Sequence, residues 1–200
     1  GLDRPVLAPE RGVRSPMPSF PDPPHHAGLD GETRSAVGVE RWGERLGVYQ
    51  SSPRQADVWV HAVSVGEVQA AQPLIRHLLR RECSVLVTTT TPTGARRVED
   101  LFEGVVQHLY TPFDLTWIVQ RFLSAVRPRL VLVMETEIWP NTLAACERRG
   151  IEVLLINARL SARSAAGYRR LRRFSAETMR RFALIAAQSA DDAARFRMLG

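Results

Sequence analysis

The sequence predicts an α/β domain built on a doubly wound parallel sheet. Short apolar runs rich in branched residues recur from about Glu40 onward, amphipathic stretches of helical period separate them, and the two kinds alternate to the end of the chain. That alternation implies right-handed crossovers, and therefore parallel strands with helices over both faces.

Val58–Val63 reads as the first strand; Val68, Ala71, Leu74, Ile75, Leu78 and Leu79 form one apolar face of the helix after it. Val85–Thr90 is the second strand. Thr91-Pro92 then opens a helix, with a capping hydroxyl followed by proline at the first position, where the missing N–H has no intrahelical partner to lose. A weaker third strand, Val105–Leu109, leads through Pro112 to a helix carrying Leu115, Ile118, Val119, Phe122, Leu123 and Val126. Leu130–Met134 and Val153–Ile156 are strands of the fully buried type, and Ala183–Ala187 is a sixth. Further helices are expected from Pro140, over the basic stretch Tyr168–Phe182, and after Ser189.

Residues 1 to about 39 hold seven of the 13 prolines and show no periodicity, so a disordered tail is expected ahead of a domain spanning 40–200. His25 and His26 in that tail have no companion ligands at metal-binding spacing. A start at Gly1 rather than methionine and an end at Gly200 on a helix terminus point to a fragment at both ends. No run approaches the ~18 apolar residues of a membrane span, and the start does not read as a signal peptide. Cys83 and Cys146 lie far apart in apolar company and read as buried, reduced thiols.

All 27 basic residues are arginine. Without lysine the chain offers no Schiff base to a pyridoxal cofactor or carbonyl substrate, no lysine general base and no GxxxxGK[ST] phosphate loop. Codon bias in a GC-rich genome is a sufficient cause. Its consequence is a positive charge fixed at any accessible pH, on planar groups suited to bidentate binding of phosphate or carboxylate. Eight arginines and one acid, Glu177, fall between Arg159 and Arg181. Tyr168, Leu171, Phe174 and Phe182 are expected on the buried side of that stretch, with Arg169, Arg170, Arg172, Arg173, Arg180 and Arg181 outward. A solvated face explains the pattern; anionic head groups or a phosphorylated substrate suit the same charge, each basic residue near a membrane contributing ~1 kcal/mol. No nucleic-acid recognition motif accompanies it.

In a doubly wound sheet the ligand lies outside the carboxyl ends of the strands, so the strand-to-helix junctions belong together. They are polar: Ser64-Val65-Gly66-Glu67, then Thr88–Gly94, then Tyr110-Thr111-Pro112-Phe113-Asp114, then Glu135–Asn141, then Asn157-Ala158-Arg159-Leu160-Ser161, and last Gln188-Ser189. Each also has a structural explanation. Gly66 permits a tight turn, Glu67 gains from the helix dipole, the threonines suit a strand and a cap, and Asp114 caps its own helix. Glu135 directly follows a buried strand and needs a partner, for which Arg159 is the natural choice.

Other chemistries lack their motifs. Gly66 alone does not make GxGxxG, GxSxG is absent, His61 lies within a strand, and neither HExxH nor paired CxxC occurs. Glu135 and Glu137 are expected on opposite faces of their segment and do not imply a metal.

Taken in order, Arg41–Gly47 (RWGERLG), Trp59–Glu67 (WVHAVSVGE), Thr88–Gly94, Tyr110–Asp114, Met134–Asn141 (METEIWPN) and Asn157–Ser161 closely resemble the 3-deoxy-D-manno-octulosonic acid (Kdo) transferases of lipopolysaccharide assembly. The resemblance implies the amino-terminal, acceptor-binding, Rossmann-like half of an inverting, metal-independent GT-B glycosyltransferase, without the nucleotide-sugar half. It implies transfer of Kdo from CMP-Kdo to a lipid A precursor at the cytoplasmic face of the bacterial inner membrane, with no cofactor beyond that donor. By position in the motifs it makes Glu67 the catalytic base and Glu135 a second essential carboxylate. Ser64, Gly66, Thr90, Thr93 and Arg159 become acceptor contacts by location. An anionic membrane surface is an expected partner and nucleic acid is not. Two alternatives stay open, a GT-B transferase using another nucleotide sugar and a non-catalytic α/β module that docks on a membrane or partner. The family's usual apolar anchor helix ahead of RWGERLG is replaced here by the proline-rich segment.

Overall fold

A computed structural model describes residues 41–170 and 172–200; the expected tail at 1–39 and the side chains of residues 169–172 lie outside the described residues. Six parallel strands form one sheet: β1 (Val58–His61), β2 (Val85–Thr89), β3 (Gln107–Tyr110), β4 (Leu130–Met134), β5 (Glu152–Ala158) and β6 (Leu184–Ala187). Their spatial order is β3-β2-β1-β4-β5-β6, a Rossmann-like arrangement that reverses direction between β1 and β4. The helices are α1 (Trp42–Arg45), α2 (Val65–Arg80), α3 (Pro92–Phe102), α4 (Thr116–Val126), α5 (Pro140–Arg148), α6 (Ala162–Arg170), α7 (Arg172–Met179) and α8 (Ala190–Leu199).

The strand period of two sorts the core into two layers. Val58, Val60, Val85, Val87, Leu132 and Met134 face α2 and α3, meeting Val68, Ala71, Ile75, Val98 and Phe102. Trp59, Leu86, Val131 and Val133 face the other way, against Val119, Phe122 and Leu123 of α4 and Leu143 and Cys146 of α5. Trp59 and Phe122 pack with ring centroids 4.6 Å apart. Among the described residues, no helix is long and apolar enough to cross a membrane.

Several expectations need correction. Val105 is 60% exposed and stands ahead of β3, which begins at Gln107; Leu115 is exposed because it precedes α4 as its N-cap. The single basic helix is two, α6 and α7. Phe174 is exposed rather than buried, whereas Arg181 is held inward by Glu147 at 2.9 Å and Glu177 at 2.7 Å. Cys146 is a buried free thiol, but Cys83 sits half-buried in the turn before β2.

The RWGERLG segment has a structural use that periodicity does not show. β3 is an edge strand, and its outward backbone groups need partners. Glu44 accepts the Tyr110 N–H at 2.8 Å while Arg41 donates to the His108 carbonyl at 2.8 Å, and the two side chains pair with each other at 2.6 Å. Arg41 and Arg45 both lie over the Tyr110 ring, at 5.1 and 4.9 Å from its centroid. An ion pair thus stands where a seventh strand would.

Candidate functional site

Each junction places its polar residues at the carboxyl edge of the sheet. After β1, Ser64 is the N-cap of α2, accepting the Glu67 N–H at 3.4 Å. Glu67 reaches back, one carboxylate oxygen accepting the Val63 N–H at 2.9 Å and the other the Ser64 hydroxyl at 3.1 Å, a reciprocal cap. Glu67 is buried, and burial pushes its pKa above the ordinary carboxylate value despite those two hydrogen bonds. The negative charges of Glu135 and Glu137 raise it further. Three carboxylates therefore share one region.

That convergence overturns the expected opposition of Glu135 and Glu137. Residues two apart share a face even on an extended chain, so the expectation fails on strand geometry alone. The chain also turns here, Glu135 leaving β4 with φ +57°, in the left-handed region that favours glycine. Its N–H binds the Ile156 carbonyl at 2.9 Å, and Asn157 opposite has φ +55° where β5 is irregular. Two non-glycine residues held in this conformation side by side at the ligand edge are the kind of local strain that gathers at functional sites. Arg159 does not partner Glu135. Glu135 is only half-buried, so water can carry its charge, while the Arg159 side chain points to solvent and its carbonyl accepts the Thr136 hydroxyl.

Gly66 is not demanded by the turn. It lies inside α2 with ordinary helical backbone, and a Cβ there meets only the Ser64 Oγ at 3.9 Å. Gly66→Ala is therefore expected to raise the unfolding free energy by about 0.5–1 kcal/mol, measured by urea titration; loss of acceptor use in the same variant marks a ligand against that backbone. The threonine segment is mainly structural: Thr91 caps α3, Thr93 is exposed and donates to Thr91 at 3.2 Å, and Thr89 meets His108 at 2.9 Å. Thr90 differs, its buried hydroxyl having no partner.

Asp114 caps α5 rather than its own helix. Its carboxylate accepts from the Asn141 N–H at 3.0 Å and from the Thr142 N–H and hydroxyl, both at 2.7 Å. The bond ties the β3 and β4 junctions together. Asp114→Ala leaves three donors short of an acceptor, and a loss of about 1–3 kcal/mol in a urea melt is expected.

The residues that sequence reasoning left aside are His61, Glu137 and Trp139. They line a cavity of about 20 Å³, room for one water-sized group, with Trp59, Thr111 and Val133 among its walls. Trp139 Nε1 donates to Glu137 at 2.8 Å, and the Trp139 ring stands edge-on to His61 at 5.3 Å. A histidine closing a strand at the ligand edge was the available signal.

Against this geometry, residues 40–200 match the family described as 3-deoxy-D-manno-octulosonic-acid transferase (kdotransferase). The chain belongs to this family. It is 42% identical over 165 residues to a 3-deoxy-D-manno-octulosonic acid transferase of Haemophilus influenzae, covering 80% of this chain and 39% of the relative. A Bordetella pertussis protein of the same name is 40% identical over 161 residues, covering 78% and 38%. The chain thus spans about two fifths of the length of these Kdo transferases. Among solved structures, a UDP-GlcNAc 2-epimerase from Neisseria meningitidis bound to UDP-GlcNAc superposes with TM-score 0.50 at 18% identity, over 73% of this chain and 43% of that one. That likeness concerns the fold alone, and it agrees with the Rossmann-like sheet of the Kdo transferase domain.

Proposed function

We propose that the chain is the amino-terminal, acceptor-binding half of an inverting GT-B glycosyltransferase that moves Kdo from CMP-Kdo to a lipid A precursor. The observation that carries this reading is Glu67: a buried carboxylate with a raised pKa, fixed by its own helix cap at the carboxyl edge of the sheet. A base must take a proton as an acceptor hydroxyl attacks, and a carboxylate raised toward neutrality is better matched to that task. In the step proposed, the acceptor oxygen bonds to the anomeric carbon of Kdo, the bond to CMP breaks, CMP leaves with the electron pair, and the hydroxyl proton passes to Glu67. Glu135 orients the acceptor or a neighbouring cation from its left-handed turn. Ser64, Gly66, Thr90, Thr93 and Arg159 border the acceptor, of which Arg159 is solvent-facing and free to meet an anionic group.

The donor CMP-Kdo is held mainly by a second, nucleotide-binding domain of the full-length protein, and no metal takes part. The exposed Arg159, Arg163, Arg173 and Arg180 face the anionic cytoplasmic surface of the inner membrane, whereas Arg181 is paired. The test is transfer of Kdo from CMP-Kdo to lipid A precursor by the full-length protein, with UDP-sugars as rival donors. Transfer from CMP-Kdo is expected only from the full-length protein. Activity of residues 1–200 alone, or preference for a UDP-sugar, overturns the reading.

A further inference from the structure

We infer that His61 and Glu137 form a subsite for one neutral hydroxyl of a carbohydrate ligand. The inference rests on the acceptor-site reading above and deepens it.

Thr88 is fully buried, and the protons around it fix the tautomer of His61. Its hydroxyl oxygen accepts the Trp59 indole N–H at 2.8 Å and lies 3.0 Å from His61 Nδ1. A hydroxyl has one proton to give, and indole nitrogen gives without accepting. Among the described residues, Nδ1 is the acceptor within reach of the Thr88 proton, so Nδ1 is unprotonated; Thr111 Oγ at 3.3 Å is placed to donate to it as well. The ring proton therefore sits on Nε2. His61 is 2% exposed, and Nε2 has no hydrogen-bond partner. A buried N–H left without a partner is costly, and an incoming acceptor atom recovers that cost.

The cavity restricts that atom. It admits one water-sized group beside apolar walls. Burial keeps the imidazole neutral, with its pKa pushed down to about 4, so it adds no charge to attract an anion. Glu137 in the same wall repels one. What remains is a neutral oxygen that accepts from Nε2–H and donates to the Glu137 carboxylate, which is the hydrogen-bonding pattern of an alcohol. Water has the same pattern and competes with a sugar hydroxyl for the place. The Trp139 ring packs T-shaped against the His61 ring and is itself held through Glu137, so the carboxylate proposed to receive the hydroxyl also fixes that wall of the cavity.

The test uses the full-length protein with CMP-Kdo and lipid A precursor, comparing His61→Phe, which keeps a ring and loses the donor, with His61→Gln, whose amide reaches the Nε2 position. His61→Phe is expected to raise the KM for acceptor about tenfold with the KM for CMP-Kdo unchanged, and His61→Gln to recover most of that loss. An unchanged acceptor KM in His61→Phe overturns the subsite even while transfer itself stands. If wild type transfers nothing, the reading of function fails first. The subsite is then decided on the chain with 15N-labelled histidine: methyl glucoside should move the Nε2 resonance and inorganic phosphate should not. A resonance unmoved by the glucoside, or moved by phosphate, overturns it. The same spectra serve if His61→Phe does not fold.

Discussion

In the full-length protein with the transferase activity proposed, Glu67→Gln is expected to lower kcat by about 10²–10⁴ while the KM for acceptor changes little. Glutamine keeps the shape of the reciprocal cap: its carbonyl accepts the Val63 N–H and its amide faces Ser64. What it lacks is the lone pair that receives a proton. A loss of less than about tenfold removes Glu67 from the base's role. In wild type, kcat/KM should fall as pH drops through a value above the ordinary glutamate range, because burial and the charges of Glu135 and Glu137 favour the protonated form.

The same substitution carries a stability signature of opposite sign, which separates lost chemistry from lost folding. A carboxyl whose folded pKa is raised supplies stability that is full below its unfolded value and is lost as pH rises through the folded one. At pH 7 the wild type therefore bears the burial of a charge that Glu67→Gln does not. The variant should melt higher than wild type at pH 7, and the gap should close toward pH 4. A variant that is both inactive and less stable at pH 7 points to a structural role for Glu67.

Much of the fold was legible because its signals are local. Branched runs such as Leu130–Met134 gave strands, and Thr91-Pro92 gave a helix start at the observed residue. Most of the misses have one physical cause: contacts between distant segments do not show in periodicity. Asp114 reads as the cap of the helix that follows it, yet its acceptors serve α5 across the junction, 27 residues on. Arg41 and Glu44 read as a motif without a task, yet they close the open edge of β3. One miss is of another kind: Glu135 and Glu137 are two apart, which alternation places on one face, and both act on Glu67. The strand-to-helix junctions fall where the alternation puts them, while which of their side chains stay available was decided by packing. Thr93 is spent beside the cap of α3; His61, dismissed as a strand residue, carries the unpartnered donor.

The second large effect expected is acid lability between about pH 6.5 and 4. His61 is held neutral by burial, its pKa lowered from 6.5 to about 4, and His108 is lowered to about 3 by burial and by the neighbouring Arg41 charge. A histidine depressed in the folded state contributes stability that is present above its unfolded pKa and lost as pH falls toward the folded one, because the unfolded chain takes the proton first. At about 1.36 kcal/mol per unit, the His61 shift alone amounts to about 3 kcal/mol across that window. Glu67 acts in the opposite sense over its own raised titration, so the wild-type profile is a sum, and the difference between variants isolates each group. Asp192, whose pKa is lowered by the Ser189 hydroxyl and the Leu160 N–H, titrates below the window and does not confuse it. Urea melts of the chain and of His61→Gln at pH 7 and pH 4 should therefore show the variant gaining on wild type by about 3 kcal/mol as the pH is lowered. His108→Gln should shift the comparison in the same direction through its preserved contact with Thr89. A His61→Gln difference that does not change with pH means that the folded chain protonates His61 as readily as the unfolded chain does, so burial does not hold the ring neutral. That result also withdraws the argument that the cavity presents an uncharged imidazole to the hydroxyl below about pH 6.5.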